Sequence, residues 1–467
     1  MPSRFPLQPS TAMSRWGLAV AVFACACQPS DSKHGIFELE AALAPAVNTV
    51  VELSWSSHQS GRSWVEYSVN GGPIFSTDTS VDASTSHREV LLGLPAFAEV
   101  DYEVFTDGAD HLDTESGWIG TDGVPAGIPD LEVVVHQAVA MSSEPYLWAM
   151  VAGIESFVIA LDRTGQVLWY MELEETFPDH RVMNIEFDPA QGEVLFGVDP
   201  TASVLVESQA ITVDMAGNQV QAQGLGPAHH DMVHLPDGGF AVLQEDLRPW
   251  LDPELDTEVE VYGDAIVEVA LDGSSEVIFS TWDWRAPEVH DRFYKTGADE
   301  ADWTHANGLH YDQDSDTYLM SLGYLNVVLE ISAETGDVVR ELGGQGYPVV
   351  AGEPFLFQHD PNWTDEGTLL MSSTIGDTDR VMAIEYEIDD QDQSLSELWS
   401  FGKEETFESR AGGQAFRLAN GNTLLNTGYR GMLVEVNPEG EPVWELYSQM
   451  GGVFVAVVFF EDFYRAD

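Results

Sequence analysis

"LPDGGFAVLQE", residues 235–245, is an apolar residue, a proline, a glycine turn and then an apolar run. The arrangement returns as "FDPAQGEVLFGV" at 187–198, "WTDEGTLLMSS" at 363–373 and "LANGNTLLNTG" at 418–428. A second pattern alternates with it: "FVIALDRTGQVLWYMEL" (157–173), "AIVEVALDGSSEVIFSTW" (265–282), "VVLEISAETGDVVRELGG" (327–344) and "MLVEVNPEGEPVWELYS" (432–448). Alternating apolar residues are the period of a half-buried strand, and Asp, Asn and Gly between two such runs mark a hairpin. Together the two patterns make one four-stranded unit. Six units are expected, beginning near residues 131, 183, 229, 304, 358 and 412. A spacing of about 50 residues suits propeller blades. The chain is therefore read as all-β, with a six-bladed β-propeller over 129–467. Closing a ring of blades also removes most exposed strand edges.

The chain upstream has the same strand period without the repeat. "TVVELSWSS" (49–57), "SWVEYSVNGG" (63–72) and "HREVLLGLPAFAEVDYEVFT" (87–106) alternate, and "GTDGVPAGIPDLE" (120–132) is a Gly/Pro-rich linker. Trp55 on an early strand, and Leu94-Pro95 followed by Tyr102, resemble a small fibronectin type III-like β-sandwich over 36–124, with Tyr102 in the tyrosine-corner region.

Both cysteines lie near the N-terminus in "MSRWGLAVAVFACACQPSDS" (13–32). A positive residue, about ten apolar residues and small residues before each Cys resemble a lipoprotein-type signal peptide (1–27), followed by a tether (28–35). Cys27 is the expected lipidation site and Cys25 the alternative. The protein is expected outside the cytoplasm, on the cell envelope through a lipid anchor or else secreted. With 79 Asp+Glu against 18 Lys+Arg the net charge is −61. That excludes non-specific nucleic-acid binding, which needs cations facing phosphates, and electrostatic adhesion to an anionic membrane.

The repeat also gives the histidines a meaning. His230 lies eight residues before Gly238, and His359 eight before Gly367. Asn184 and Gly413 hold that place in two other units. In "DWTHANGLHYDQDSDTYLM" (302–320), with its longer turn, His305 is assigned to it; His136 is the first-unit counterpart, before a turn that lacks the glycine. Equivalent positions on different blades converge at one mouth of a central channel. Three distant histidines thus become one predicted cluster, with His229 supporting His230. Asp231 and Asp360 each follow such a histidine, either orienting an imidazole or capping a strand through backbone N–H groups. Trp303 and Trp363 are read as packing residues, and "DQDSDTY" (312–318) as a solvated hairpin turn. The remaining histidines are read as surface residues.

"HHDMVHLPDGG", "DWTHANGLHYD", "FQHDPNWTDEGTLL", "AFRLANGNTLLNTG" and "PYLWAM…VIALDRTGQVLWYM" resemble the arylsulfotransferase family over about residues 130–467. These bacterial enzymes move a sulfuryl group from an aryl sulfate to a phenol without PAPS. The resemblance implies that His359 takes up the group as a transient sulfohistidine. It implies that His305 and Asn307 hold sulfuryl oxygens, and that His230 (or His229) is the remaining channel histidine. The substrates would be small aryl sulfates and phenols, with no cofactor and no metal. One departure stands out. The family's active members carry an arginine after the inner strand of the His-x-Asn blade, where this chain has Leu322, Gly323 and Tyr324. Arg380 and Arg430 follow inner strands of other units and are the candidate substitutes for substrate binding. Two alternatives follow: a non-catalytic surface propeller that binds a small aromatic or a glycan, and a metal-dependent hydrolase using the same histidines.

Overall fold

A computed structural model describes residues 35–464, apart from 153–155, 174–179, 189–190, 201–207, 254–255, 291–299, 377, 405–406, 410–411 and 450–452. The signal segment, Cys25 and Cys27, and the tether except Gly35 lie outside the described residues. Among the described residues no helix is long and apolar enough to cross a membrane.

The chain is all-β. Beyond residue 130, six sheets of four or five strands follow one another. Five of them have their inner strand at His180–Asp188, Ala228–His234, Ala306–Asp312, Leu356–Trp363 and Gln414–Arg417. The other sheet takes its inner strand from the far end of the chain, where Val453–Phe460 pairs with Tyr146–Ala152. The inner strands touch in cyclic order. The last contact is made by Val457 N–H, which donates to Gln414 Oε1 at 2.8 Å. Turn glycines allow the short hairpins: Gly238 has φ +88°, which a Cβ would strain, and its N–H donates to Leu235 O at 2.9 Å.

The segment at 131 departs from the expected phase. Leu131–His136 pairs with Pro442–Ser448, so it is the outer strand of the last sheet and not the start of the first. His136 lies opposite Trp444 on that outer edge and has no place among inner-strand residues. Alternation alone could not distinguish a strand that opens one sheet from one that completes another.

Residues 36–120 form a separate set of strands around Val51–Val69, whose first half pairs with Ser84–Leu91 and second half with Glu99–Gly108. Trp55 is buried there, and its indole N–H donates to Thr106 Oγ1 at 2.9 Å. The hydroxyl that reaches back to the backbone before Leu94-Pro95 belongs to Tyr67, at 3.2 Å from Leu92 O, and not to Tyr102. Tyr464 holds this unit to the ring, accepting from Leu92 N–H at 2.7 Å.

Few cations oppose the surface carboxylates, and six of the described arginines are already paired, as in Arg340 with Glu330, Arg417 with Glu385 and Arg285 with Glu341. A net charge of −61 repels itself across the folded surface. Raising NaCl from about 0.01 M to about 1 M shortens the Debye length from about 30 Å to about 3 Å. The thermal unfolding midpoint is expected to rise over that range; a flat or falling midpoint would contradict the repulsion argument.

Candidate functional site

Inner strands position the site through bulges. Register breaks between Ala228 and Met232, between Ala306 and Gly308, and on both sides of His359. A bulge re-aims a side chain by releasing it from the ladder. The backbone shows the cost: His230, His305, Phe357 and Asp360 all have positive φ, at 58°, 50°, 43° and 51°. Histidine and aspartate tolerate that region moderately, a bulky phenylalanine poorly. Strain gathered at one mouth of the ring marks a site that the rest of the fold holds in place.

His359 and Asn307 meet there. Asn307 Nδ2 lies 3.2 Å from His359 Nε2, and Asn307 Oδ1 accepts from Ser321 Oγ at 2.8 Å. His359 Nδ1 lies 3.1 Å from Phe357 O, and Gly412 N–H points at Nε2 from 3.3 Å. A carbonyl can only accept, so Nδ1 carries the hydrogen and Nε2 keeps its lone pair. Burial, then the neighbouring His305, lowers the His359 pKa to about 4, against the Phe357 carbonyl, which raises it. The ring is therefore neutral at neutral pH, with a fixed tautomer and a lone pair facing an amide donor.

His305 lies beside this pair. Its Nδ1 is 2.8 Å from Asp302 Oδ2, and its ring stacks on Tyr324 at 4.2 Å and 7°. Phe357 continues the stack, 5.8 Å from His305, and meets His359 edge-on at 5.1 Å. The expected register of His305 is not observed. His359 pairs with Ser372, and the corresponding Ser321 pairs with Gly308, beside the bulged Asn307. His305 sits earlier, its carbonyl accepting from Gly323 N–H at 3.0 Å. Asn307 is thus the repeat counterpart of His359, and the bulge is why counting residues from the turn misplaced it.

His230 is exposed at the same mouth, its ring 5.1 Å from His305 and 5.0 Å from His229. The two neighbours' Nδ1 atoms are 2.7 Å apart, and His229 Nε2 lies 2.9 Å from Asp264 Oδ1. Burial raises the pKa of Asp264, but His229, the Thr304 hydroxyl and the Ala306 N–H outweigh it and hold the carboxylate below its usual range.

Asp231 caps strands. It accepts from Met232 N–H at 2.8 Å and from Leu309 N–H of the next sheet at 2.9 Å. Burial pushes its pKa well up, and burial pushes Asp360 to about 7. The carboxylates that orient imidazoles are instead Asp264 and Asp302. The sequence did carry a signal for Asp264: a lone acid in the apolar run "VYGDAIVEV" (261–269) needs a buried partner. Asp302, three residues before His305, had no comparable signal.

The remaining assignments divide. Among the described residues, neither Arg380 nor Arg430 contacts a histidine of the cluster. Arg380 forms a bridge with Glu408, and Arg430 is exposed, 5.5 Å over the Tyr447 ring. Tyr324 fills the place of the expected arginine with an aromatic face. Among the described residues no group of three or more His, Cys, Asp or Glu side chains has a geometry to hold a metal ion. Trp303 is buried against Trp282 and Trp284, Trp363 lies under Arg340, and 312–318 is a hairpin turn. Three histidines read as surface are not. His87 is buried against Trp55, His310 is largely enclosed, and His290 meets Tyr324 edge-on at 5.6 Å.

A ring of antiparallel sheets with a polar cluster where its inner strands converge defines an all-β protein of propeller type. The arylsulfotransferase (ASST) family model matches residues 132–359 of the chain. The match ends on His359. The match supports an aryl-sulfotransferase-like function. No curated protein matches significantly. Among solved structures the chain is similar to a protein of unknown function from Bacteroides caccae, at 16% identity and TM-score 0.43, covering 68% of this chain and 100% of that one. It is similar to a virginiamycin B lyase from Staphylococcus aureus, at 10% identity and TM-score 0.33, covering 58% and 71%. A β-propeller domain from Myceliophteria thermophila gives 10% identity and TM-score 0.34, covering 70% and 97%.

Proposed function

We propose that the chain is an aryl-sulfate sulfotransferase working through a sulfohistidine at His359. In this reading the six sheets are the blades of one propeller, the strands at 36–120 are a fibronectin type III-like sandwich, and a lipid on Cys27 or Cys25 holds the protein outside the cytoplasm. The single observation that carries the reading is the neutral His359, with its Nε2 lone pair held against Asn307 Nδ2. That lone pair attacks sulfur, the S–O bond to the phenol breaks, and the phenolate leaves with the electron pair. A phenol acceptor then attacks sulfur as its proton passes to solvent, and the S–N bond returns its pair to Nε2. Sulfuryl transfer spreads charge over three equatorial oxygens, so oriented donors do most of the work. Asn307 Nδ2 and Gly412 N–H are the donors in reach once sulfur occupies the lone pair.

The test is to incubate the purified protein with 4-nitrophenyl sulfate and phenol and to follow nitrophenol release and intact mass. Release with a transient gain of one SO₃ supports the reading. Neither signal, across several pH values and salt concentrations, overturns it. Asn307→Ala is expected to lower kcat by about 10²–10³-fold, the usual cost of one oxyanion donor. An unchanged kcat would assign the amide a packing role.

A second reading rests on the carboxylates Asp264, Asp302, Asp231 and Asp360 around the cluster and on the stacked rings of Tyr324, His305 and Phe357. This is a channel that binds a small neutral aromatic on the Tyr324–His305–Phe357 stack without turning it over. Saturable phenol binding without transfer would favour it.

A further inference from the structure

The turn between Thr317–Leu322 and Val327–Ser332 occupies the place where the resemblance puts an arginine, and it reaches two sides of the cluster. Gly323 N–H donates to His305 O at 3.0 Å, and the Tyr324 ring lies on His305. Two residues further, Asn326 Oδ1 accepts from Phe357 N–H at 2.8 Å. We propose that Asn326 is a positioning residue: by holding the backbone of Phe357 it fixes which nitrogen of His359 carries hydrogen and which keeps the lone pair. The inference rests on the sulfotransferase reading and assigns a role beyond it.

The inner strand carries one extra residue at this point, because Leu356 pairs with Thr374 and His359 already with Ser372. Phe357 lies inside that bulge at φ +43°, a region that a bulky side chain enters only at a cost. Its two backbone groups are satisfied on opposite sides. The N–H crosses to Asn326 on the neighbouring sheet, and the carbonyl accepts from His359 Nδ1 at 3.1 Å. Without the Asn326 acceptor, a buried amide would lose its partner, and relaxing φ to a negative value would satisfy it elsewhere. That relaxation would turn the Phe357 carbonyl away from His359 and move the ring that meets both His305 and His359.

The same sheet holds the other face of His359. Gln358 Nε2 donates to Val327 O at 2.8 Å and to Ser321 Oγ at 3.0 Å, and Ser321 Oγ donates to Asn307 Oδ1 at 2.8 Å. Asn307 is thereby turned so that its Nδ2 faces His359 Nε2. A neutral imidazole has two tautomers, and only the one with hydrogen on Nδ1 leaves the Nε2 pair for sulfur. The Nε2 side offers donors, Asn307 Nδ2 and Gly412 N–H, and the Nδ1 side offers the Phe357 carbonyl. The tautomer therefore depends on that carbonyl staying in place.

Asn326 itself has φ +54°, which Asn, Asp and Gly all tolerate, so exchanges among them leave the turn unstrained. Asn326→Gly removes the acceptor and Asn326→Asp retains it. The experiment labels the full chain with ¹⁵N-histidine and reads the His359 nitrogens by NMR at neutral pH, assigned by their absence in His359→Ala. It also follows nitrophenol release from 4-nitrophenyl sulfate. Wild type and Asn326→Asp are expected to show one form, Nδ1 protonated and Nε2 bare, with kcat values within about 2-fold of each other. Asn326→Gly is expected to show the Nε2-protonated form as well. Its kcat should fall by about 5–10-fold, the scale of one net hydrogen bond, with KM unchanged because Asn326 acts through Phe357. A single, unchanged tautomer in Asn326→Gly would overturn the proposal whatever the rate. Equal losses of kcat in the Gly and Asp variants would overturn it too, since the acceptor would then not be what matters. A wild-type protein that transfers no sulfuryl group would overturn the sulfotransferase reading, and the tautomer comparison would still decide the role of Asn326.

Discussion

The His359→Ala protein is expected to acquire no SO₃ and to release nitrophenol slower than wild type by on the order of 10⁴–10⁶-fold, the scale at which loss of a nucleophile acts. The His359 Nε2 lone pair is held against the Asn307 amide. Release that survives the substitution would dismiss His359 as nucleophile, even if the sulfotransferase reading stood. The pH dependence carries a second signature. The His359 pKa is about 4, pushed down by burial and His305, so Nε2 remains unprotonated far below the ordinary histidine range. The donor half-reaction should hold level from pH about 8 to about 5 and fail only near 4. Asp360, raised to about 7, changes charge well above that limb. A fall centred near 6.5 would mean a solvated imidazole. The same lowered pKa has a stability sign. The unfolded chain binds a proton near pH 6.5 that the folded state refuses until about 4, so His359 subtracts from stability as pH drops through that window.

Glu435→Gln is expected to destabilise the fold by about 3–5 kcal/mol, because it leaves Arg163 buried without its counter-charge. Glu435 has no solvent exposure. It pairs with Arg163, and it accepts from Ser142 N–H and from Asn422 Nδ2, both at 2.6 Å. The Arg163 guanidinium lies 4.4 Å over Trp444 and 4.7 Å over Phe459. These residues come from the first and last sheets, so the pair fastens the ring where it closes. Equilibrium denaturation measures the loss. Exchanging both partners for apolar residues, as in Arg163→Met with Glu435→Leu, should recover part of it, since a filled apolar site has no charge to desolvate. A single variant within about 1 kcal/mol of wild type would mean that the closure depends on strand pairing alone.

Strand period and turn chemistry were legible because each hairpin writes its own residues. "LPDGG" and "EGEP" each state a local turn, and six copies made the ring expectation firm. The histidine cluster was legible for the same reason: repeat geometry turns sequence distance into proximity. Bulges were not, since one extra residue leaves no trace in composition. Counting from the turn therefore puts His305 at Asn307's position. Closure was not legible either, because the segment at 131 alternates like any other strand. The glutamates within "VEV" (267–269 and 434–436) and "IEY" (384–386) interrupt apolar strands. They are joints: Glu268 accepts from Tyr318 at 2.8 Å, Glu385 from Arg417, and Glu435 from Arg163, each on the following sheet.

The double closure also governs the order in which the protein can come into being. The first sheet lacks its inner strand until Val453–Phe460 arrives, and the last sheet must capture Leu131–His136, made long before. A nascent chain therefore carries two open sheet margins through nearly its whole synthesis, and pairings this distant in sequence form slowly. Gly412, which points at His359, belongs to the last-made part of the ring. A chain that stops before Val453–Phe460 would leave the first sheet's margin open and be prone to pair with its copies.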